Sequence, residues 1–169
     1  LPKVARALVN LSGIKENQLF LDPFCGTGGL LIEAGMIGAR VHGIDVQEQM
    51  VRGTAENLNF YGLTGALMVG DAAKTALRDN CIDAIATDMP YGRSSLIARS
   101  GFASSLERLF PDVLAQIHRL LKPGGKAVIV SNFPCSRSQG LFFRVLETYV
   151  YRVHKSLNRY ITVLEKPFF

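Results

Sequence analysis

The stretch Leu19-Phe-Leu-Asp-Pro-Phe-Cys-Gly-Thr-Gly-Gly29 determines how the rest of the chain is interpreted. An apolar run ends in the carboxylate of Asp22, and a glycine-rich turn then leads into the apolar residues 30–32. This pattern predicts a buried strand, a tight turn at its carboxyl end and a helix that begins beneath the turn. Glycines in such a turn permit positive φ and let a ligand approach the backbone without interference from Cβ atoms.

The same turn indicates which class of ligand it suits. In open α/β sheets, ligands bind at the carboxyl ends of the strands. Asp22 at that position disfavours a pyrophosphate, because the two anions would repel each other, and favours a cationic or hydroxyl-rich ligand. Gly26 and Gly28 fit the start of the dinucleotide-binding fingerprint, but Leu31 stands where its last Gly or Ala belongs. A nicotinamide-dependent oxidoreductase is therefore disfavoured.

Hydrophobic periodicity predicts alternating helices and strands along the chain. Helices are expected over 1–11, from the glycine-rich turn to about 38, and over 47–61, 106–121 and 139–148; strands are expected over 18–22, 40–45, 66–69, 82–87, 126–131, 149–154 and 159–164. Pro111 could break or restart the helix over 106–121, and residues 92–101 are interpreted as a mobile loop over the site. The pattern predicts an α/β fold: a mostly parallel sheet with helices on both faces and a C-terminal antiparallel hairpin.

Length and composition suit a globular domain and disfavour several classes of protein. With 169 residues, 48% hydrophobic and 20% charged, the chain is expected to form one domain without intrinsic disorder. No apolar run is long enough to span a bilayer, and no signal peptide is visible. Cys25, Cys81 and Cys135 are scattered singly, so neither a metal site nor a disulfide framework is predicted, and a reducing, cytoplasmic location is expected. We interpret Cys25 as a small packed residue rather than a nucleophile.

Charge is distributed unevenly along the chain. Residues 1–121 carry 11 Lys and Arg against 12 Asp and Glu, a net of −1, whereas residues 122–169 carry 8 against 2, a net of +6. This asymmetry suggests either a side that binds a polyanion or a solvated basic surface without a partner.

Two motifs resemble those of S-adenosylmethionine (SAM) dependent methyltransferases. The segment Asp22-Pro-Phe-Cys-Gly-Thr-Gly-Gly29 resembles their motif I, and Asp88-Met-Pro-Tyr91 resembles the Asp/Asn-Pro-Pro-Tyr motif of enzymes that methylate an amino nitrogen. Two acidic strand ends, Asp45 and Asp71, lie between the motifs. The resemblance implies the class I methyltransferase architecture, a Rossmann-like fold with a seven-stranded, mostly parallel sheet.

A closer resemblance covers essentially the whole chain. It is carried by three segments: Asp22-Pro-Phe-Cys-Gly-Thr-Gly-Gly29, Asp88-Met-Pro-Tyr-Gly-Arg-Ser94 and the opening Pro2-Lys-Val-Ala-Arg-Ala-Leu-Val-Asn-Leu-Ser-Gly13. These segments are similar to those of archaeal tRNA guanine-N2 methyltransferases that act on guanosine 10. In that family an RNA-binding THUMP region precedes the catalytic domain. The resemblance therefore implies a tRNA substrate, and it implies that residues 1–169 are the catalytic domain, a C-terminal fragment of a longer protein.

The resemblance also implies which residues bind SAM. Asp22 would face the amino group or the sulfonium, and Asp45, 23 residues further on, would accept the ribose hydroxyls. Asp71 would accept from adenine N6 and the Ala72 N–H would donate to N1. The expected cofactor-binding residues are Asp22, Phe24, Gly26, Thr27, Gly28, Gly29, Asp45, Val46, Asp71, Ala72 and Asp88. Asp45 and Asp71 could instead be ordinary helix caps or turn residues.

The expected catalytic residues are Asp88, Met89, Pro90 and Tyr91. The Asp88 carboxylate and the Met89 carbonyl would accept the two N–H groups of the target amine, so that its lone pair points at the methyl group. Tyr91 would stack on the flipped base, and Pro90 would stiffen the turn. Met89 replaces the first Pro of the usual motif, which retains the carbonyl but is expected to loosen the geometry.

Other activities remain open at this level. Similar tetrapeptides occur in enzymes that methylate rRNA guanine N2, DNA adenine N6 or protein glutamine N5. A non-catalytic SAM- or RNA-binding module is a further alternative, disfavoured because all the motif acids are present.

Overall fold

The computed structural model describes residues 2–90, 103–135, 142–154 and 157–168. Its helices are α1 (Pro2–Ser12), α2 (Gly29–Met36), α3 (Glu48–Phe60) and α4 (Ala103–Leu120). Its strands are β1 (Leu19–Asp22), β2 (Arg40–Asp45), β3 (Gly65–Val69), β4 (Ile82–Asp88), β5 (Leu121–Ser131), β6 (Arg144–His154) and β7 (Leu157–Glu165).

All of these strands belong to one seven-stranded sheet of order β3-β2-β1-β4-β5-β7-β6. The first five strands pair in parallel, whereas β7 is antiparallel to both β5 and β6. The strand order reverses between β1 and β4, and a crevice for ligands forms at the carboxyl ends of strands at such a point. Asp22 and Asp88 are the last residues of these two strands.

Helices cover both faces of the sheet, and each face has its own core. In β1, Phe20 packs against the core under α1, α2 and α3, while its neighbour Leu21 packs against the core under α4. This alternation follows from the two-residue period of a strand. The α/β fold class, the mostly parallel sheet and the C-terminal antiparallel pair predicted from the sequence are confirmed.

The predicted helix over 139–148 is wrong where the structure describes it. Residues 144–148 form the first half of β6, and residues 139–141 lie outside the described part of the chain. The segment 144–154 contains three Val, two Tyr and a Thr, which favour strands. Its pairing with β7 from Arg144↔Glu165 onward supplies the tertiary contacts that override the helical periodicity.

Two further expectations concern the region around α4. The helix continues through Pro111 as a single element, so it is neither broken nor restarted there. Its predicted N-terminal neighbour, the loop 92–101, lies outside the described residues. No helix among the described segments combines the length and the apolarity needed to cross a membrane.

Candidate functional site

The glycine-rich turn after β1 has the backbone geometry that its sequence predicts. Gly26 and Gly28 adopt positive φ, 51° and 86°, and α2 begins at Gly29. A Cβ at position 28 would lie 2.9 Å from Thr54 Cγ2, so Gly28 is needed both for its backbone and for packing. A Cβ at position 26 or 29 would meet no atom within 4 Å, which shows that the space beside these glycines is open.

Side chains of α3 hold this turn in place. Thr54 Oγ1 donates to the carbonyl of Gly26 (2.7 Å), and Asn57 Nδ2 donates to the carbonyl of Thr27 (2.8 Å). The spacing of three residues places Thr54 and Asn57 on the same face of α3. Sequence reasoning did not single out either residue. They lie about thirty positions from the turn, so the only sequence feature that could have indicated their contact with it is their shared face of the helix.

Asp45, at the end of β2, ties the turn to the sheet. Its Oδ2 accepts from the Gly26 N–H (3.0 Å), and its Oδ1 accepts from the Gln47 N–H (2.9 Å). The residue is 9% exposed. A carboxylate oxygen has more than one lone pair, so both oxygens retain the capacity to accept from a ligand hydroxyl. The internal contacts of Asp45 are therefore those of a turn residue, and its carboxylate can still accept hydrogen bonds from a ligand.

Asp22 is a buried carboxyl group at the floor of the crevice. It is 2% exposed, and its Oδ1 accepts from the Phe24 N–H (3.1 Å) and from Thr87 Oγ1 (2.7 Å). Burial raises the pKa of Asp22 from 3.8 to about 7, and the charge of Asp45 also raises it, against the two hydrogen bonds, which lower it. A cation bound next to Asp22 would favour the ionised form. Sequence reasoning missed Thr87.

The predicted adenine side lies at the ends of β2 and β3. The Gly70 N–H donates to the Asp45 carbonyl (3.0 Å), which joins the two strand ends. Asp71 Oδ1 accepts from the Ala73 N–H (2.9 Å), and this contact forms a turn in which Ala72 is buried. Val46 is 61% exposed. The structure thus places Asp45, Val46, Asp71 and Ala72 at neighbouring strand ends, beside the glycine-rich turn.

Asp88 and the glycine-rich turn line the same cavity, which has a volume of about 260 Å³. Its lining comes from α1, the turn, the start of α2 and the ends of β1 and β4: Val4, Ala5, Leu8, Asp22, Phe24, Cys25, Thr27, Gly29, Leu30 and Asp88. The two sequence motifs, more than sixty residues apart, therefore meet in one place. The Asp88 side chain is 50% exposed.

The backbone beyond Asp88 is fixed by the sheet and the core. The Met89 N–H donates to the Val130 carbonyl (2.9 Å), and the Met89 side chain is buried in the core under α4. Pro90 follows as a half-buried residue, and Tyr91 lies outside the described part of the chain. Two of the remaining candidate residues, Met89 and Pro90, are thus adjacent to the cavity-lining Asp88.

Arg159 of β7 forms an ion pair with Asp88. Its Nη2 donates to Asp88 Oδ1, and the Arg159 side chain is 6% exposed. Burial lowers the pKa of Arg159 below the usual value of a guanidinium. Nothing in the local sequence indicated this residue, because Arg159 lies 71 positions from Asp88 and belongs to no motif.

Cysteine and metal chemistry receive no support from the described residues. Burial raises the pKa of the Cys25 thiol to about 12, so the thiol is neutral, and the side chain packs in the core under α1, α2 and α3 as interpreted from the sequence. Among the segments that the structure describes, no group of three or more His, Cys, Asp and Glu side chains is arranged to hold a metal ion.

Comparison with known sequences identifies the family. The sequence model of the UPF0020 family, described as an RMKL-like methyltransferase domain, matches residues 1–158. The chain is 41% identical over 167 residues to the tRNA (guanine(10)-N2)-dimethyltransferase of Methanothermobacter thermautotrophicus, covering 98% of this chain and 48% of that protein. It is 38% identical over 172 residues to the "Probable tRNA (guanine(10)-N2)-dimethyltransferase" of Methanothermococcus thermolithotrophicus, covering 97% and 98%. The chain thus spans about half the length of the M. thermautotrophicus protein, and it also spans about half the length of two further curated relatives that it matches.

Comparison with solved structures supports the fold. The structure of TrmN from Thermus thermophilus matches with a TM-score of 0.84 and 24% sequence identity, over 98% of this chain and 48% of that one. A geranyl diphosphate methyltransferase in complex with SAM matches with a TM-score of 0.74 and 13% identity, over 98% and 85%. The chain therefore has the Rossmann-like fold of these two structures. The match of the family model over residues 1–158 shows that the chain belongs to the UPF0020 family of methyltransferase domains.

Proposed function

We propose that this chain is the catalytic domain of an enzyme that transfers a methyl group from SAM to the exocyclic N2 amino group of guanine in tRNA, at position 10. One observation carries the proposal: the glycine-rich turn with Asp22 and the strand end with Asp88 line a single cavity. Membership of a methyltransferase family supports the reaction. The names of the relatives from M. thermautotrophicus and M. thermolithotrophicus support the substrate.

The described residues fit the methionine part of SAM. The open space beside Gly26 and Gly29 leaves room for a ligand against the backbone. Asp22, which burial holds close to the balance between its neutral and ionised forms, would become ionised when the cationic amino group of SAM lies beside it. Phe24 and Thr27 line the same cavity and would contact this part of the ligand.

The ends of β2 and β3 fit the nucleoside part. Asp45 would accept from the ribose hydroxyls with the capacity that its two internal hydrogen bonds leave. The exposed side chain of Val46 would cover one face of the adenine. Asp71 would accept from adenine N6, and the Ala72 N–H would donate to N1, in the turn that the Asp71–Ala73 contact forms.

Asp88 and Met89 would prepare the target amine. The lone pair of an exocyclic amine on a nucleobase is delocalised into the ring, which makes the nitrogen a poor nucleophile. Accepting its two N–H groups on the Asp88 carboxylate and the Met89 carbonyl favours a tetrahedral nitrogen with a localised lone pair. SAM, when bound, supplies the electrophilic methyl group. The Met89–Val130 hydrogen bond holds this stretch of backbone in place for the second contact.

Recognition of tRNA requires further elements. The target base must leave its stack to reach a cavity of this kind, and Tyr91 would offer a ring for it, a contact of about 1–3 kcal/mol. The net charge of +6 over residues 122–169 would attract the phosphate backbone. We further propose that an N-terminal THUMP region in the full-length protein contributes to tRNA binding.

Calorimetric titration with S-adenosylhomocysteine, with NAD as a parallel control, tests the cofactor class. The expected result is saturable binding of S-adenosylhomocysteine and none of NAD. Binding of NAD alone would contradict the proposal. Binding of S-adenosylhomocysteine without methyl transfer to RNA, DNA or protein would favour the non-catalytic module.

A further inference from the structure

The contact between Arg159 and Asp88 joins two strands that are not neighbours in the sheet. Asp88 is in register with Val130 of β5, and Val130 is in register with Ile161 of β7. Arg159 lies two residues from Ile161, so its side chain is on the same face of β7. Asp88 is on this face too. It lies two residues from Ala86 of β4, and Ala86 and Ile161 both pack against the core under α1, α2 and α3. The guanidinium therefore reaches past the end of β5 to the carboxylate.

The two ends of this ion pair have different environments. The Arg159 side chain is 6% exposed, whereas the Asp88 side chain is 50% exposed and lines the cavity. A buried guanidinium with a planar, fixed set of donors is a rigid anchor for a carboxylate. Arg159 Nη2 donates to Oδ1 of Asp88, and Asp88 is one of the residues that line the cavity.

We propose that Arg159 is a positioning residue for methyl transfer: it orients the Asp88 carboxylate, through Oδ1, so that the other oxygen accepts from the target amino group. This inference rests on the proposed function, because Asp88 is the proposed amine acceptor. Arg159 itself is set back from the cavity lining and acts through Asp88.

The electrostatics of the cavity give Arg159 a second effect. The titratable side chains among the described lining residues are Asp22 from β1, Cys25 from the turn and Asp88 from β4, and α1 contributes only apolar groups. Two carboxylates that share a cavity repel each other when both are ionised. The Arg159 guanidinium offsets this repulsion at Asp88. An ionised carboxylate is an acceptor-only group, which an amine donor requires.

The kinetic test compares Arg159→Gln and Arg159→Lys with the unmodified protein and with Arg52→Gln. Arg52→Gln is a matched control because it removes an exposed ion pair to Glu48 on α3. We expect Arg159→Gln to lower kcat by about 10²-fold, the cost of a misplaced reacting group, with the affinity for S-adenosylhomocysteine within about threefold. Arg159→Lys should recover part of kcat, and Arg52→Gln should leave it unchanged. A kcat for Arg159→Gln within about threefold of the unmodified value would overturn the proposal, as would cofactor affinity falling in step with kcat.

A thermal double-mutant cycle on Arg159→Gln and Asp88→Asn tests the interaction without any activity. We expect each single substitution to lower Tm, and the double variant to lower Tm by less than the sum, because neither partner is then left alone. Additive changes would overturn the proposal. If Arg159→Gln does not fold, Arg159→Lys takes its place in both tests. If the unmodified protein transfers no methyl group to tRNA, the proposed function fails, while coupling in this cycle still reports on the Arg159–Asp88 contact.

Discussion

At the scale of single residues, three carboxyl groups at strand ends have three different environments. Asp22 is buried with a raised pKa, Asp45 accepts two backbone N–H groups, and Asp88 is half exposed beside a buried guanidinium. Their environments, rather than their shared residue type, are the basis on which we propose a cation, a diol and an amine, respectively, as the groups that they bind. A substitution of each residue tests the role that we propose for it.

Asp22 should make the stability of the protein depend on pH. Its pKa is 3.8 in the unfolded chain and about 7 in the folded one, so only the folded state keeps the proton between these values. The contribution of Asp22 to the free energy of unfolding therefore falls as pH rises, by roughly 4 kcal/mol across the window. In urea denaturation between about pH 4 and pH 8, Asp22→Asn should gain stability relative to the unmodified protein as pH rises, and level off above pH 7. Parallel stability curves would show that Asp22 ionises normally.

Asp88 and Asp45 should separate catalysis from cofactor binding. We expect Asp88→Ala to abolish methyl transfer while the affinity for S-adenosylhomocysteine stays within a few-fold. Asp45→Ala should do the reverse and weaken that affinity by about 10–100-fold, because charged hydrogen bonds contribute roughly 1.5–3 kcal/mol and the Gly26 N–H loses its acceptor. Calorimetry and a methyl-transfer assay measure the two effects. Substantial activity in Asp88→Ala would refute its role.

At the scale of the elements, the glycine-rich turn and α3 form one supporting unit. The Thr54 side chain of α3 packs closely against Gly28, and its hydroxyl donates a hydrogen bond to the Gly26 carbonyl. The conformation of the turn therefore depends on a helix that follows the next strand of the chain. This dependence makes Gly28 the glycine of the turn that is least tolerant of a side chain.

Gly28→Ala should destabilise the protein and weaken cofactor binding together. The φ of 86° is strained for alanine, by roughly 1–2 kcal/mol, and the new Cβ would lie 2.9 Å from Thr54 Cγ2. Gly53→Ala is the matched control: position 53 is inside α3, and its Cβ meets no atom within 4 Å. This control should stabilise the protein by about 0.5–1 kcal/mol. Urea denaturation and titration with S-adenosylhomocysteine measure both variants, and equal effects at the two positions would contradict the account of the turn.

Sequence patterns predict the elements whose contacts are local and miss those that depend on distant partners. The strand that ends at Asp22 and the turn after it carry their own signals, an apolar run and glycines, and both are confirmed. The apolar residues of 144–148 are spaced compatibly with a helix, and pairing with β7 decides in favour of a strand. Arg159 could not be predicted as a partner of Asp88, because their proximity arises from the register of three strands.

At the scale of the whole molecule, the reversal of strand order between β1 and β4 brings the two motifs together. Asp22 ends β1 and Asp88 ends β4, so the cavity forms where the crevice of the sheet opens. The remaining proposed ligand groups come from β2 and β3 on one side, and the Arg159 contact comes from β7 on the other. The order of strands thus separates the proposed cofactor side from the side that anchors the proposed amine acceptor.

The most direct test of the proposed function is to identify the methylated nucleoside. Unmodified tRNA is incubated with the protein and isotopically labelled SAM at low salt, where phosphate contacts are strongest, and is then digested for mass spectrometry, with Asp88→Ala as the control. The account predicts label in N2-methylated guanosine, mapped to position 10, and none with Asp88→Ala. Label on adenine N6, label in DNA or protein instead of tRNA, or no transfer by a protein that binds S-adenosylhomocysteine would contradict it.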